Sequence, residues 1–481
     1  MARQNTDIFH PTSVFSRDFP IDMLLAISSW LPIRDALSFT STCRRLHGLT
    51  VVKTFWLSLL EFANGLRPIA CPPEEDLAAL DVQKLKGIAL HTLQRDENLA
   101  LSEPKYEQRS LKKFRTGIEV NAAFHVPGTR LLVLCDASDG KASCWDTLSK
   151  KKVCVSAYVG RKIFDWSFAK QYRNKILKAF FVADSANATL PTALIVLCLN
   201  YPSGEKPKPF FDILFKHEFH APVNPSDIVH CDLNLEFVVV TSRQGKETVD
   251  ITIFDYTRKT RRVIHTDIPA ADDYYRLEPC FQGKQLHLFV HHPHWTYFHT
   301  CSKADIAEEA YISLLQHSEN QKYSWPKTSS EISPCEYEHF LSCSCGPRTL
   351  TTVHYVASTQ NSNIQGIEFF YWDPSRSGKT TPITSFLVKG YLQDNGDDIL
   401  IDNTSSSSVL FFHEPLEVHQ TALKLLTFDE GSSTPTLHSP KIPKEWIFTQ
   451  RENLYNILFD ELLGTIYFVT RRGRLLCVPY A

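Results

Sequence analysis

The chain has 481 residues, 43% of them hydrophobic and 12% aromatic, which at roughly 100 to 200 residues per domain allows two or three domains with sizeable cores. Its 51 basic and 53 acidic side chains leave a formal charge of -2, so no global field attracts phosphate backbones or anionic lipid, and neither nucleic acid nor membrane is an expected partner. Apolar runs such as 193–199 are far short of the roughly 20 residues that cross a bilayer, Met1–His10 shows no signal pattern, and thirteen scattered cysteines read as reduced thiols, so a cytoplasmic or nuclear location is expected.

Residues 1–15 form a polar, disordered tail. Helical periodicity begins at Asp18-Phe19-Pro20, where a proline suits the first turn, and is expected to run to about Trp30 with Met23, Leu24, Ile27, Trp30 and Leu31 on one stripe. Pro32 then turns the chain. A second helix carries Asp35 near its start with Leu37 and Phe39 facing inward, and a third carries Cys43, Leu46 and Leu49 towards Phe55-Trp56 and Leu59-Leu60. Three short helices therefore fit residues 16–62. Breakers over 64–73 end this segment, and residues 63–114 read as a linker with one helix, capped by Asp81. In that helix Val82, Leu85, Ile88, Ala89 and Leu93 share a face while Lys84, Lys86 and Arg95 point away.

From about residue 115 the pattern becomes short apolar and β-branched runs separated by turn residues, which predicts an all-β domain over 115–481. Strands are expected at 130–135, at 141–146 with a WD-like ending in Trp145-Asp146, at 236–241 and 249–256 about a turn at Gly245, at 367–373, and at 465–470 and 475–480 about an Arg472-Gly473 turn. Their spacing of roughly 40 to 50 residues is that of propeller blades. About seven degenerate blades are expected, with the last strand completing a blade at the start of the domain. Six or eight blades, or a β-sandwich pair, stand as alternatives.

Phe19-Pro20-Ile21-Asp22-Met23-Leu24-Leu25, continuing through Ile27, Leu31, Pro32 and Leu37 to Cys43-Arg44-Arg45-Leu46 and Phe55-Trp56, resembles the F-box family, specifically the fungal type with a C-terminal WD-like propeller. The family usually shows Leu-Pro-x-Glu-Leu-Leu, then a Val-Cys-Arg-Arg-like run and a final Leu-Trp. Phe19, Asp22, Thr42 and Phe55 stand here where those patterns have Leu, Glu, Val and Leu. The resemblance implies that Phe19, Pro20, Leu24, Ile27, Leu31, Leu37, Cys43, Leu46 and Trp56 bind a Skp-type adaptor. Through it a cullin scaffold and a ubiquitin-charged conjugating enzyme are reached. The chain is then the non-catalytic receptor of a Skp-cullin-F-box ubiquitin ligase, with the β domain holding an unknown protein substrate. Independently of the resemblance, about 40 residues in short helices bury too little apolar surface to stand alone and need a covering surface. The helix at 82–97 is expected to fix the spacing of the two modules.

Two rival functions stay open: an adaptor or scaffold that delivers nothing for destruction, and a propeller hydrolase. No cofactor is expected. Gly378-Lys379-Thr380 has Asp373 where a phosphate loop needs glycine. Cys335, His339, Cys343 and Cys345 match no common zinc spacing, and His291, His292, His294 and His299 around Trp295 read as a loop rim, so no metal is expected either. Arg471, Arg472, Tyr274, Tyr275 and Trp295 are candidates by residue type for the substrate face, which the sequence leaves unassigned.

Overall fold

The computed structural model describes residues 19–72, 75–164, 169–201, 208–219, 228–243, 247–270, 276–282, 285–292, 295–301, 309–312, 323–324, 340–345, 350–357, 364–372, 384–392, 400–403, 407–413, 421–427, 436–443 and 454–480. The expected tail at 1–15, the Gly245 turn, Tyr274, Tyr275, His294, Cys335, His339 and the 373–383 segment lie outside these. The chain divides into two compact units, a helical one reaching Glu97 and a β unit that holds residues 72–74 and 98–481.

The helical unit contains α1 (Ile21–Ser28), α2 (Ile33–Ser41), α3 (Arg44–His47), α4 (Lys53–Leu66) and α5 (Val82–Leu99). Pro20 and Pro32 are the N-caps of α1 and α2, where a fixed φ and a missing N–H cost nothing. The third expected helix is two: α3 passes into a 3-10 turn, Gly48–Val51, before α4 begins. α4 carries the heaviest part of the core, burying Phe55, Trp56, Leu59 and Leu60, and the Trp56 indole N–H donates to Thr50 O at 2.8 Å.

α5 is no free-standing connector. Leu85 and Ala89 are fully buried in the same core as Trp56, so the helix supplies apolar surface that the shorter helices need. Asp81 caps it as expected, accepting from Lys84 N at 2.8 Å. Arg95 does not point away. It is 2% exposed, pairs with Asp96 at 2.6 Å and donates to Pro68 O at 2.7 Å. A guanidinium is tolerated there because its charge and donors are met.

The β unit is mostly antiparallel sheet. Its described strands form seven sheets, beginning with β1 (Lys112–Arg115), β2 (Val120–His125), β3 (Leu131–Asp136), β4 (Lys141–Asp146) and β5 (Lys151–Lys152). Strands β2 to β5 make the first sheet in chain order, whereas β1 pairs with the terminal strand Arg474–Pro479 in the register Lys112↔Cys477 to Arg115↔Arg474. The last sheet is thus closed by the first strand, as anticipated, and the chain's two β ends are fastened by one ladder.

Both faces of the inner strands of the first two sheets are covered, which explains their unbroken apolar runs. In β3, Leu132 and Leu134 pack with Tyr467, Val469 and Leu475 of the last sheet, while Val133 and Cys135 pack with Phe180 and Ile195 of the second. Successive residues point to opposite faces, so a strand sandwiched between two sheets must be apolar at every position. The same division holds for Lys175–Ala183, whose Ile176 and Phe180 join one cluster and Leu177 and Phe181 the next. Contacts between sheets follow chain order. Strand Ile228–Leu233 packs on Arg276–Gln282, that strand on Phe340–Cys345, that on Leu400–Asn403, and that on Leu454–Asp460, which also meets β2.

Buried polar groups tie neighbouring sheets. Asp232 lies 3.3 Å from Lys170 Nζ and accepts from Phe281 N at 2.7 Å, joining three successive sheets, and burial raises its pKa above the ordinary carboxylate value. Asp460, fully buried, accepts from the backbone of Gly128 at 3.0 and 3.1 Å and of Leu462 at 3.0 Å. Gly128 has φ +72°, and a Cβ there would meet Pro72 backbone at 2.8 Å, so only glycine fits this close approach.

Nine of the described cysteines are free thiols, seven of them buried. Cys280 is disulfide-bonded, an exception to the expectation of reduced thiols throughout.

Candidate functional site

The stripe expected along α1 is two faces. Leu24 and Ser28 turn inward, with Leu24 at 1% exposure. Met23, Ile27 and Trp30, spaced by four and three, turn outward, at 49%, 39% and 75% exposure. Ile21 is 52% exposed at the helix start, and Val51, in the 3-10 turn, is 76% exposed. Trp30 follows α1 in a tight turn, its N–H donating to Ile27 O at 3.3 Å, and its ring meets Phe62 edge-on at 6.3 Å. Packing on one side and water on the other leave a large indole largely uncovered, an arrangement that marks interaction surfaces.

The nine residues assigned to adaptor binding separate into three groups. Pro20 and Ile27 are exposed; Phe19, Leu31, Leu37 and Cys43 are half-buried. Leu24, Leu46 and Trp56 are enclosed by the unit's own helices, at 1%, 3% and 0% exposure. These last three therefore belong to the unit's own core, with almost no apolar area left exposed. In α2 the fully buried residues are Ile33, Ala36 and Thr40, while Leu37 and Phe39 pack half-buried against the same core. Ile21, Met23 and Trp30 were missed as surface residues because a helix whose two faces are both apolar gives a weak period.

On the β unit, Arg471 and Arg472 are exposed in the turn before the terminal strand, Trp295 opens strand Trp295–Thr300, and Cys343 and Cys345 lie in strand Phe340–Cys345. Among the described residues no three His, Cys, Asp or Glu side chains are grouped to hold a metal, and no helix is long and apolar enough to cross a membrane. A cleft of about 770 Å³ lies between the first two sheets, lined by Tyr158, Asp184, Phe211, Asp212 and Lys216 among others. The Tyr158 hydroxyl donates to Asp184 at 2.9 Å, and Asn200 donates to Asp212 at 2.8 Å. Burial and the Asp184 carboxylate raise the Tyr158 pKa. These groups satisfy one another.

No protein-family model and no curated protein matches the chain. Among solved structures it is similar to the β-propeller domain of Cps50 (Swd1) from Myceliophteria thermophila, at 12% identity and TM-score 0.43 over 76% of this chain and 98% of that one. It is also similar to the C-terminal WD40 domain of Sif2, at 10% identity and TM-score 0.40, over 75% of this chain and 81% of that one. The architecture rests on the chain's own strand pairing and sheet packing.

Proposed function

We propose that this chain is a non-catalytic receptor whose helical unit docks on a Skp-type adaptor and whose β unit, a seven-bladed propeller, holds a protein destined for ubiquitination. The single observation that carries the adaptor half is the uncovered face of Met23, Ile27 and Trp30, lying within the segment that resembles an F-box. Four large apolar side chains, counting Ile21, stand in water on and just beyond a helix of eight residues, and their burial drives association. The propeller reading is supported by seven sheets that pack in chain order, with the last sheet meeting the first and completed by β1. The ring leaves its edges short and its loops free, which suits a binding platform.

On this reading the chain forms no covalent bond and acts by proximity, holding a lysine of the bound protein near a charged conjugating enzyme. The cullin scaffold is reached through the adaptor. The test is co-purification of the full chain with a Skp-type adaptor, lost on Ile27→Asp with Trp30→Asp. Retained binding in that double variant overturns the proposal. A chain that binds the adaptor, while no protein accumulates on its removal, is a scaffold instead.

A further inference from the structure

The near-neutral net charge conceals a local concentration of lysines on the β unit. Lys112 and Lys113 lie on β1, and Lys150, Lys151 and Lys152 lie at the turn into β5. The two groups are adjacent. Lys150 Nζ donates to Lys113 O at 3.4 Å, and the ammoniums of Lys150 and Lys112 both act on the Cys477 thiol, which burial pushes up to about 12. Lys152 stands opposite Trp145, whose ring packs on Phe114 of β1 at 6.3 Å.

None of the five has a carboxylate within ion-pair distance among the described residues. The one acidic side chain in the turn, Asp146, is committed to backbone: it accepts from Leu148 N at 3.0 Å and Ser149 N at 3.3 Å. Lys150 takes a left-handed φ of 58° to close that turn, a conformation that a non-glycine residue adopts at a cost. Lysines on an edge strand commonly guard it against pairing. That accounts for Lys112 and Lys113, and equally for Lys151 and Lys152 on β5, itself the edge of its sheet, but not for Lys150 in the turn or for the two groups lying side by side.

We infer that this lysine cluster, with the free edge of β1 and exposed Leu148, is a docking surface for an extended acidic segment of another protein. Charge complementarity selects the sign of the partner. β1 ends its sheet's order, so its outer edge offers main-chain groups for an added strand, apart from the Lys113 carbonyl that Lys150 Nζ already meets at 3.4 Å. Leu148, 48% exposed and two residues before Lys150, offers an aliphatic contact in the same turn. Single-stranded nucleic acid is less well matched, because it wants open aromatic faces, while Phe114 and Trp145 are half-buried against each other and the core. The inference uses the β unit alone and stands whether or not the helical unit binds an adaptor.

The test is fluorescence anisotropy with the full chain and a short fluorescein-labelled peptide alternating glutamate with leucine. Saturable binding is expected, weakening steeply as NaCl is raised from about 50 to about 500 mM. The variant Lys112→Glu, Lys113→Glu, Lys151→Glu, Lys152→Glu should bind about tenfold or more weakly, with an unchanged circular-dichroism melt. The inference is overturned if the peptide does not saturate or if the variant binds it equally. It is also overturned if oligodeoxythymidylate, or vesicles of equal parts phosphatidylserine and phosphatidylcholine, bind more tightly than the peptide.

Discussion

If the proposed adaptor docking holds, replacing Trp30 with alanine should remove that affinity while leaving the helical unit folded, and the structure sets the size of both effects. A tryptophan buries about 150 to 250 Å² in a contact, and three-quarters of this one is open, at 75% exposure. At about 25 cal/mol per Å², full coverage is worth about 3 to 5 kcal/mol, of which alanine and incomplete coverage retain a part. A loss of about 2 to 4 kcal/mol corresponds to a Kd raised about 30-fold to about 1,000-fold. The folding cost is limited to the edge-on contact with Phe62, about 0.5 to 1.5 kcal/mol. Trp56→Ala should do the opposite. That ring is 0% exposed and its N–H is held by Thr50 O, so its loss costs the fold about 3 to 5 kcal/mol. Isothermal titration of a Skp-type adaptor, read beside urea unfolding of each variant, separates the two. An unchanged Kd for Trp30→Ala, in a chain that otherwise binds the adaptor, would refute the assignment of the outward α1 face.

Arg95→Ala should destabilise the helical unit by about 3 kcal/mol, read as a shift of its urea midpoint, because Asp96 and the Pro68 carbonyl lose their partner; an effect below about 0.5 kcal/mol would show that the buried guanidinium is dispensable. Asp460→Ala should lower the thermal midpoint of the β unit by several degrees, since three backbone N–H groups lose their acceptor, and an unchanged melt would remove that anchor from the account. His287, 1% exposed, has its pKa lowered to about 4 by burial. Its folded value lies below the unfolded one, so its neutral form stabilises the fold above about pH 6.5 and that contribution, about 3 kcal/mol, fades as pH falls towards 4. His287→Leu should flatten this limb of the stability profile measured by urea titration at successive pH values, and an unaltered slope would point to other groups.

Much of the architecture is written in local pattern. Prolines 20 and 32 mark helix starts, Asp81 caps α5, and strands 141–146 and 465–470 fall where alternation and turn residues put them. The pairing of the chain's last strand with an early one also followed from a simple requirement, that a repeat array must cover its edges. These features depend on neighbours in sequence, which a linear reading contains.

What a side chain faces was decided by packing. Leu24 and Trp30 are equally apolar and six residues apart, yet one lies under α4's core and the other in water, because only folding fixes which side of α1 meets the rest of the unit. Arg95 reads as a surface residue until a carbonyl from residue 68 and a neighbouring carboxylate enclose it. The lysines at 112–113 and 150–152 are ordinary in a chain of charge -2, and only the β1 ladder with Arg474–Pro479 brings them beside one another. Composition is a sum and periodicity a local average, whereas a surface is made by residues distant in sequence, so it comes into being only with the tertiary fold.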